Sequence, residues 1–264
     1  MAAGDTITQS LADSLPTVVA SARQTREFEG VMPNLVDKVT LSEGTGTSWR
    51  EVTMAQLTAQ TVTETTRLDN PQQMSDTLLT ITPTVVAIQT LITDRVAARI
   101  SSIAYAKVGN LAQNAIQRKK DEDGLTVLDG ATTSLAGTGT TLTSGHIAAA
   151  GHRITSNATE PGNEPIRAVL HGFQIKDLHD EIVAGVGTYN LQEGPTARVF
   201  AEKFQGMIAN VQIYEDGNIT IDGTPDAKGG VFAQEAIILV QGISPHTETR
   251  REPHIGGGAT SVFL

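Results

Sequence analysis

Cysteine is missing from all 264 residues of this chain. Its absence excludes a disulfide framework, a thiolate nucleophile and a Cys-ligated zinc site, so stability has to come from packing and association. Aromatic residues make up 4% of the sequence, and Trp49 is the single tryptophan. Positive charge is also scarce: 19 Lys and Arg stand against 29 Asp and Glu, for a net charge of -10. This balance argues against a protein that grips nucleic acid phosphates across a broad basic face, although local basic contacts stay open. No run approaches the roughly 18 to 20 apolar residues that span a bilayer. The first residues lack a charged segment followed by an apolar one, so no export signal is expected there. What the chain does have is 39% hydrophobic content, enough to core one large domain or two small ones.

The most informative stretch is a strand-rich excursion over residues 36–92, too large for a loop and too poor in core residues for a domain. Its outgoing limb carries Val36, Val39 and Leu41, then the bend Glu43-Gly44-Thr45-Gly46, then Trp49 and Val52. The two glycines mark a kink or bulge. The chain doubles back through Asp69-Asn70-Pro71, and residues 53–76 are rich in Thr and Gln. On the return limb Leu79, Ile81, Pro83 and Val85 alternate with Thr80, Thr82 and Thr84, the period of a strand covered on one side. From Val85 through Ile92 apolar residues occupy both faces, which predicts entry into a core at Val85. An isolated two-stranded arm is marginal in water, so this one is expected to lie on another copy of the chain.

Around the excursion the pattern is mixed. Residues 1–35 read as an extended arm with one helical turn, and Thr93 or Asp94 caps a helix to about Lys120. Val96, Ile100, Ile103, Ala104, Leu111 and Ala115 form its stripe, and Gly109 predicts a bend or a close crossing. A Gly/Thr/Ser-rich linker, 130–143, leads to a helix at 145–155, a buried strand at 166–170 and a helix at 174–183. A hairpin is expected at 211–221 around Glu215-Asp216-Gly217-Asn218, with further strands at 237–240 and 248–252. No internal repeat is present, and the order supports an α+β class.

Signals for chemistry are weak. His171, Asp177, His179, Asp180 and Glu181 form the densest set of potential metal ligands, but their spacing fits no standard site and a solvated helix face accounts for them better. His146 and His152 point to different faces of a helix. The runs Gly44-Thr45-Gly46, Gly137-Thr138-Gly139 and Gly256-Gly257-Gly258 lack the setting of a phosphate loop. No Gly-x-Ser-x-Gly elbow anchors a serine hydrolase. The run Arg118-Lys119-Lys120-Asp121-Glu122-Asp123 switches sign abruptly; it reads as a helix end with a solvated turn at Gly124, or as an inter-subunit charge contact.

An arm, a long hairpin, a spine helix, and a helix/strand unit returning to a final strand together resemble the HK97-like major capsid proteins of tailed bacteriophages. Four strings carry the same resemblance in the right order: 32–39 (MPNLVDKV), 111–121 (LAQNAIQRKKD), 169–171 (VLH) and 226–232 (DAKGGVF). It implies an amino-terminal arm (1–35), an E-loop hairpin with its return strand (36–92), a P-domain spine (93–141), an A-domain (142–245) and a return strand to the P-domain (246–264). It further implies a structural protein without catalytic residues, cofactor, metal or membrane, assembling with itself into hexamers and pentamers of an icosahedral head. The implied partners are scaffolding, portal and decoration proteins and packaged double-stranded DNA held without sequence-specific binding. The implied location is the virion, by way of the host cytoplasm during assembly. Candidate inter-subunit contacts are Trp49, Arg50, Glu51, Arg67, Arg118, Lys119, Lys120 and Asp121.

Two departures from that family set further expectations. The sequence ends at Ser261-Val262-Phe263-Leu264, where such proteins add another P-domain segment, so a longer natural chain is expected. No long helical scaffolding stretch precedes the arm, so scaffolding is expected from a separate chain or from a removed segment. Two alternatives stand beside the phage shell: an encapsulin-type nanocompartment, separable by its enzyme cargo, and a metal-dependent hydrolase using the His171–Glu181 cluster, separable by metal analysis.

Overall fold

The computed structural model describes residues 30–42, 44, 46–65, 71–99, 102–135, 137, 139–186, 206–222, 226–244 and 246–263. In chain order the first elements are α1 (Met32–Leu35), β1 (Asp37–Thr40), β2 (Trp49–Met54), β3 (Asp76–Ile81), β4 (Gln89–Thr93), α2 (Asp94–Ala97) and α3 (Ser102–Asp129). There follow α4 (Ser144–Thr155), β5 (Ile166–Leu170), α5 (Gly172–Val186), β6 (Met207–Ile208), β7 (Val211–Glu215), β8 (Gly230–Ala233), β9 (Ile238–Gln241), β10 (Glu248–Glu252) and β11 (Ala259–Phe263). The expected arm over 1–29, the turn residues Asp69 and Asn70, and the stripe residue Ile100 lie outside the described residues.

β5 occupies an inner position of a four-stranded sheet ordered β6-β7-β5-β8, and its period of two sends apolar side chains to both faces. Ile166, Ala168 and Leu170 join Val211 and Ile213 of β7 in one cluster, covered by Ile147 of α4 and Ile175 and Leu178 of α5. Val169 points the other way, with Phe232 of β8, onto Met32, Leu35 and Val36. Leu125 and Leu128 of α3 close that second layer. The centre is therefore helix, sheet, helix, and α3 is the element that leads away from it.

α3 runs 28 residues, about 42 Å at the usual rise. The expected single helix from residue 93 is two: α2 ends at Ala97, and it follows directly on β4 and is anchored at the turn of the β10-β11-β4 sheet. There Asp94 N donates to the Gly258 carbonyl at 2.9 Å and Val96 is buried. Nor does the helix stop at Lys120. The sign switch makes i,i+4 pairs, Arg118–Glu122 at 3.6 Å and Lys119–Asp123 at 2.6 Å, which support a helix instead of ending it. Gly124 is thus no turn: a Cβ there would stand 3.1 Å from Met32 Cβ, so this glycine makes the close crossing expected at Gly109, which has open space. The inward stripe differs as well, since Leu111 is exposed and Ile116 is buried.

Two strand pairings also differ from expectation. β1 leaves the excursion and pairs in parallel with β9, Asp37 opposite Ile238 through Thr40 opposite Gln241. The expected hairpin at 211–221 is replaced by β6–β7, turned through Ala209 and Asn210 at φ 47° and 67°, the left-handed backbone that two-residue hairpin turns require. Asp216 folds inward and leads the chain off the sheet, so Ile219 packs into the second layer and Ile221 keeps only a bridge to Ala227.

The β10-β11-β4 sheet is locked at its turn by Asp94 and Arg251, joined by two hydrogen bonds of 2.6 and 2.5 Å. Gly258 sits under them at φ +111°, where an added Cβ would meet Asp94 Oδ2 and approach Arg251 Nη2 to 2.7 Å. Gly258→Ala is therefore expected to lower subunit stability by about 1–3 kcal/mol, measured by urea denaturation. A change below about 0.5 kcal/mol would show that the turn relaxes freely.

Candidate association surface

β2 and β3 form a separate two-stranded ribbon, registered from Trp49 opposite Ile81 at its root to Met54 opposite Asp76. Gly44 and Gly46, at φ +82° and +100°, make the expected kink ahead of it. The ribbon holds itself by its ladder, by Ser48 Oγ with Thr82 Oγ1 at 2.9 Å, and by Ala55 N donating to the Ser75 carbonyl at 2.9 Å. Farther out, Thr58 N donates to Gln72 Oε1 at 2.9 Å.

Alternation divides the ribbon into two faces. Trp49, Glu51, Leu79 and Ile81 share one, and Arg50, Val52, Met54 and Leu78 the other. One-sided cover was expected from the Leu/Thr alternation, but Val52 and Leu78 make the second face apolar too. None of these is core of its own subunit: Val52 is 53% exposed, Met54 68%, Leu78 54% and Leu79 47%. The return limb does not enter the core at Val85, which is 95% exposed; entry comes at Leu91 and Ile92 in β4. The reason is pairing: β4 gains a partner in β11, whereas the ladder described for β3 ends at Ile81. Exposed apolar side chains gathered on one ribbon make it a candidate association surface.

The predicted contact residues fall in different places. Trp49 is half-buried opposite Ile81, and Arg50 and Glu51 are exposed on opposite faces of the ribbon. Arg67 lies outside the described residues. Arg118 and Lys119 are half-exposed on α3, and Lys120 lines a cleft with Thr40, Gln117 and Gln241. Asp121 is withdrawn from the surface set, because it is fully buried and accepts hydrogen bonds from Met32 N and Asn218 Nδ2 at 2.9 and 2.8 Å. Its signal was an acidic residue four positions before Leu125 on the inward stripe.

The His171–Glu181 segment does not converge on one point. Glu181 accepts from Ser144 N and Oγ at 2.6 and 2.9 Å, and Asp177 from Leu142 N at 3.4 Å, so two carboxylates of α5 hold the start of α4. Asp180 pairs with Lys176 at 2.5 Å, and His171 Nδ1 accepts from Phe173 N at 3.2 Å. Among the described residues no group of three or more His, Asp or Glu is placed to hold a metal ion. The metal-dependent alternative has no support in this geometry.

No family model and no curated relative matches the chain. Solved structures do. It is similar to a structure from Mycobacterium phage Che8 at 18% identity, over 94% of this chain and 90% of that one, with a TM-score of 0.72. It is similar to the capsid of cyanophage P-SCSP1u at 12% identity, over 96% and 88%, with a TM-score of 0.66. The head structure of Helicobacter pylori bacteriophage KHP40 matches at 11% identity, over 100% and 90%, with a TM-score of 0.64. At such identities the likeness is one of fold, and the fold is the α+β HK97-like architecture of phage capsids.

Proposed function

We propose that this chain is a structural subunit that tiles a closed phage-type shell, a major capsid protein and not an enzyme. The observation that carries the reading is the ribbon of β2 and β3, apolar on both faces and exposed on both in its own subunit. Burying one such Val, Leu or Met side chain fully contributes about 1.5–3 kcal/mol, and a closed symmetric assembly offers that gain to every copy without leaving open strand edges. The fold supports the same reading. In this scheme the E-loop is the ribbon with its stems, narrower than 36–92 because β1 pairs with β9. α2, α3, β4, β10 and β11 make the P-domain, and the four-stranded sheet with α4 and α5 makes the A-domain. Trp49, Arg50, Glu51, Arg67, Arg118, Lys119 and Lys120 are the proposed inter-subunit contacts. Scaffolding, portal and decoration proteins and double-stranded DNA are the proposed partners, with assembly in the host cytoplasm and the virion as destination.

The test is assembly itself, followed by negative-stain imaging and by quenching of Trp49. Closed particles are expected, with Trp49 less accessible to acrylamide in them than in the free subunit. A Trp side chain carries roughly 150–250 Å² of surface, and at about 25 cal/mol per Å² covering the exposed part contributes up to a few kcal/mol per contact. Trp49→Ala should accordingly weaken assembly more than folding. A protein that stays monomeric at every salt concentration and with scaffolding protein present would overturn the reading.

A further inference from the structure

Asp121 on α3 and Asp216 in the turn after β7 are both fully buried, and their carboxyl groups share one hydrogen-bond donor residue, Asn218. Together they take the N–H groups at the start of the described chain. Asp121 Oδ1 accepts from Met32 N at 2.9 Å, and Asp216 Oδ2 from Val31 N at 3.4 Å. Asn218 ties the pair together, donating Nδ2 to Asp121 Oδ2 at 2.8 Å and its backbone N to Asp216 Oδ1 at 2.9 Å. Gly30 is pressed onto the same place, since a Cβ on it would overlap the Asp121 carboxyl carbon.

The charged groups on the surrounding elements are engaged elsewhere. On α3, Arg118 pairs with Glu122, Lys119 with Asp123, and Lys120 lines the cleft beside Thr40. On the sheet, Arg167 donates to the Leu35 carbonyl and Glu215 reaches toward Gly172. Among the described residues, Asp121 is the charge that acts on Asp216. Two buried carboxyls that share a site without a cation do not both ionise without cost.

We propose that Asp121 and Asp216 form a proton-operated latch: one proton held by the pair clamps residues 30–36 to α3 and to the β7 turn, and its loss loosens that root. Asp216 is the group that keeps the proton. Burial pushes its carboxyl up to about 6, against the Asn218 N–H and with the help of the Asp121 charge. That lies above its ordinary value of 3.8, so the fold favours the protonated form. The contribution is full below about pH 3.8 and is lost as pH rises through about 6.

The test is hydrogen exchange of the full-length, unassembled subunit at pH 5 and pH 8, corrected for intrinsic exchange, so that neither outcome depends on shell formation. Protection of a peptide covering residues 30–36 is expected to fall by about tenfold at pH 8, while a β5 peptide changes little. Asp216→Asn carries a permanently neutral group of the same shape, and its root should be protected equally at both pH values. Asp121→Asn removes the neighbouring charge and should move the wild-type midpoint to lower pH, which keeps the test open if the first variant misfolds. Equal wild-type protection at both pH values would overturn the latch, as would an Asp216→Asn variant with the wild-type pH dependence, or an unmoved midpoint in Asp121→Asn.

Discussion

With residues 58–69 replaced by a short Gly-containing turn, the subunit is expected to unfold within about 0.5 kcal/mol of wild type and to form no particles. The segment lies beyond the β2–β3 ladder, whose last described pair is Met54 opposite Asp76. Residues 58–65, its described part, are exposed, Val62 at 49%, so their removal takes little from the subunit interior. It does remove the bond from Thr58 N to Gln72 Oε1. Shortening a loop costs or gains only tenths of a kcal/mol, because closure entropy varies slowly with length. The proposed association has no such substitute, since in that reading it depends on how far the ribbon reaches and what it covers. Circular dichroism with sedimentation decides it: a deletion variant that precipitates as unfolded chain would make the tip part of the fold, and one that still assembles would remove the tip from the contacts.

Phe232→Ala should do the reverse, lowering subunit stability by about 3–5 kcal/mol and losing assembly only as a consequence of unfolding. Phe232 is 5% exposed on β8, opposite Arg167 of β5, and packs with Met32, Leu35, Val36, Val169 and Ile219. Truncation leaves a cavity between the sheet and α1, which a single turn of helix anchored by its buried side chains fills poorly. Domains have about 5–15 kcal/mol in all, so this one change is expected to bring the unfolding midpoint close to growth temperature. Urea denaturation of the unassembled subunit gives the number, with Val85→Ala, at a 95% exposed position, as the near-neutral control. A loss below about 1 kcal/mol for Phe232→Ala would mean that α1 and α3 do not seal that face.

The sequence was legible where structure is local. Ile166–Leu170 and Glu248–Glu252 form strands at the expected residues, and α4 begins within one residue of expectation, because length and flanking signals decide such elements. Partners at long range were not legible. Asp37-Lys38-Val39-Thr40 looks the same whether it continues a hairpin or joins a strand some 200 residues later, and the parallel pairing with β9 is a tertiary choice. The sign switch at residues 118–123 misled because opposite charges four apart serve a helix interior as well as a helix end. Glu215-Asp216-Gly217-Asn218 does turn the chain, but Asp216 is spent on Val31 and Asn218, so the strand expected after it never pairs with β7. Of the association surface, the kink and Trp49 were visible in the sequence. The second apolar face was not, because it follows from the register that sets Val52 opposite Leu78.

Both roots of the ribbon are fixed by strands that come far later in the sequence. β1 is held by β9, and β4 by β11, where Gln89 stands opposite Phe263. During synthesis, therefore, the ribbon's residues emerge long before anything exists to mount them. A nascent chain lacking 238–263 has neither anchor and offers neighbours no ribbon in a defined position. Non-local closure of this kind is slow and comes late in folding. In the proposed shell it acts as a completion check: the limb proposed to join one copy to the next is set in place only on chains in which β9 and β11 have already been made.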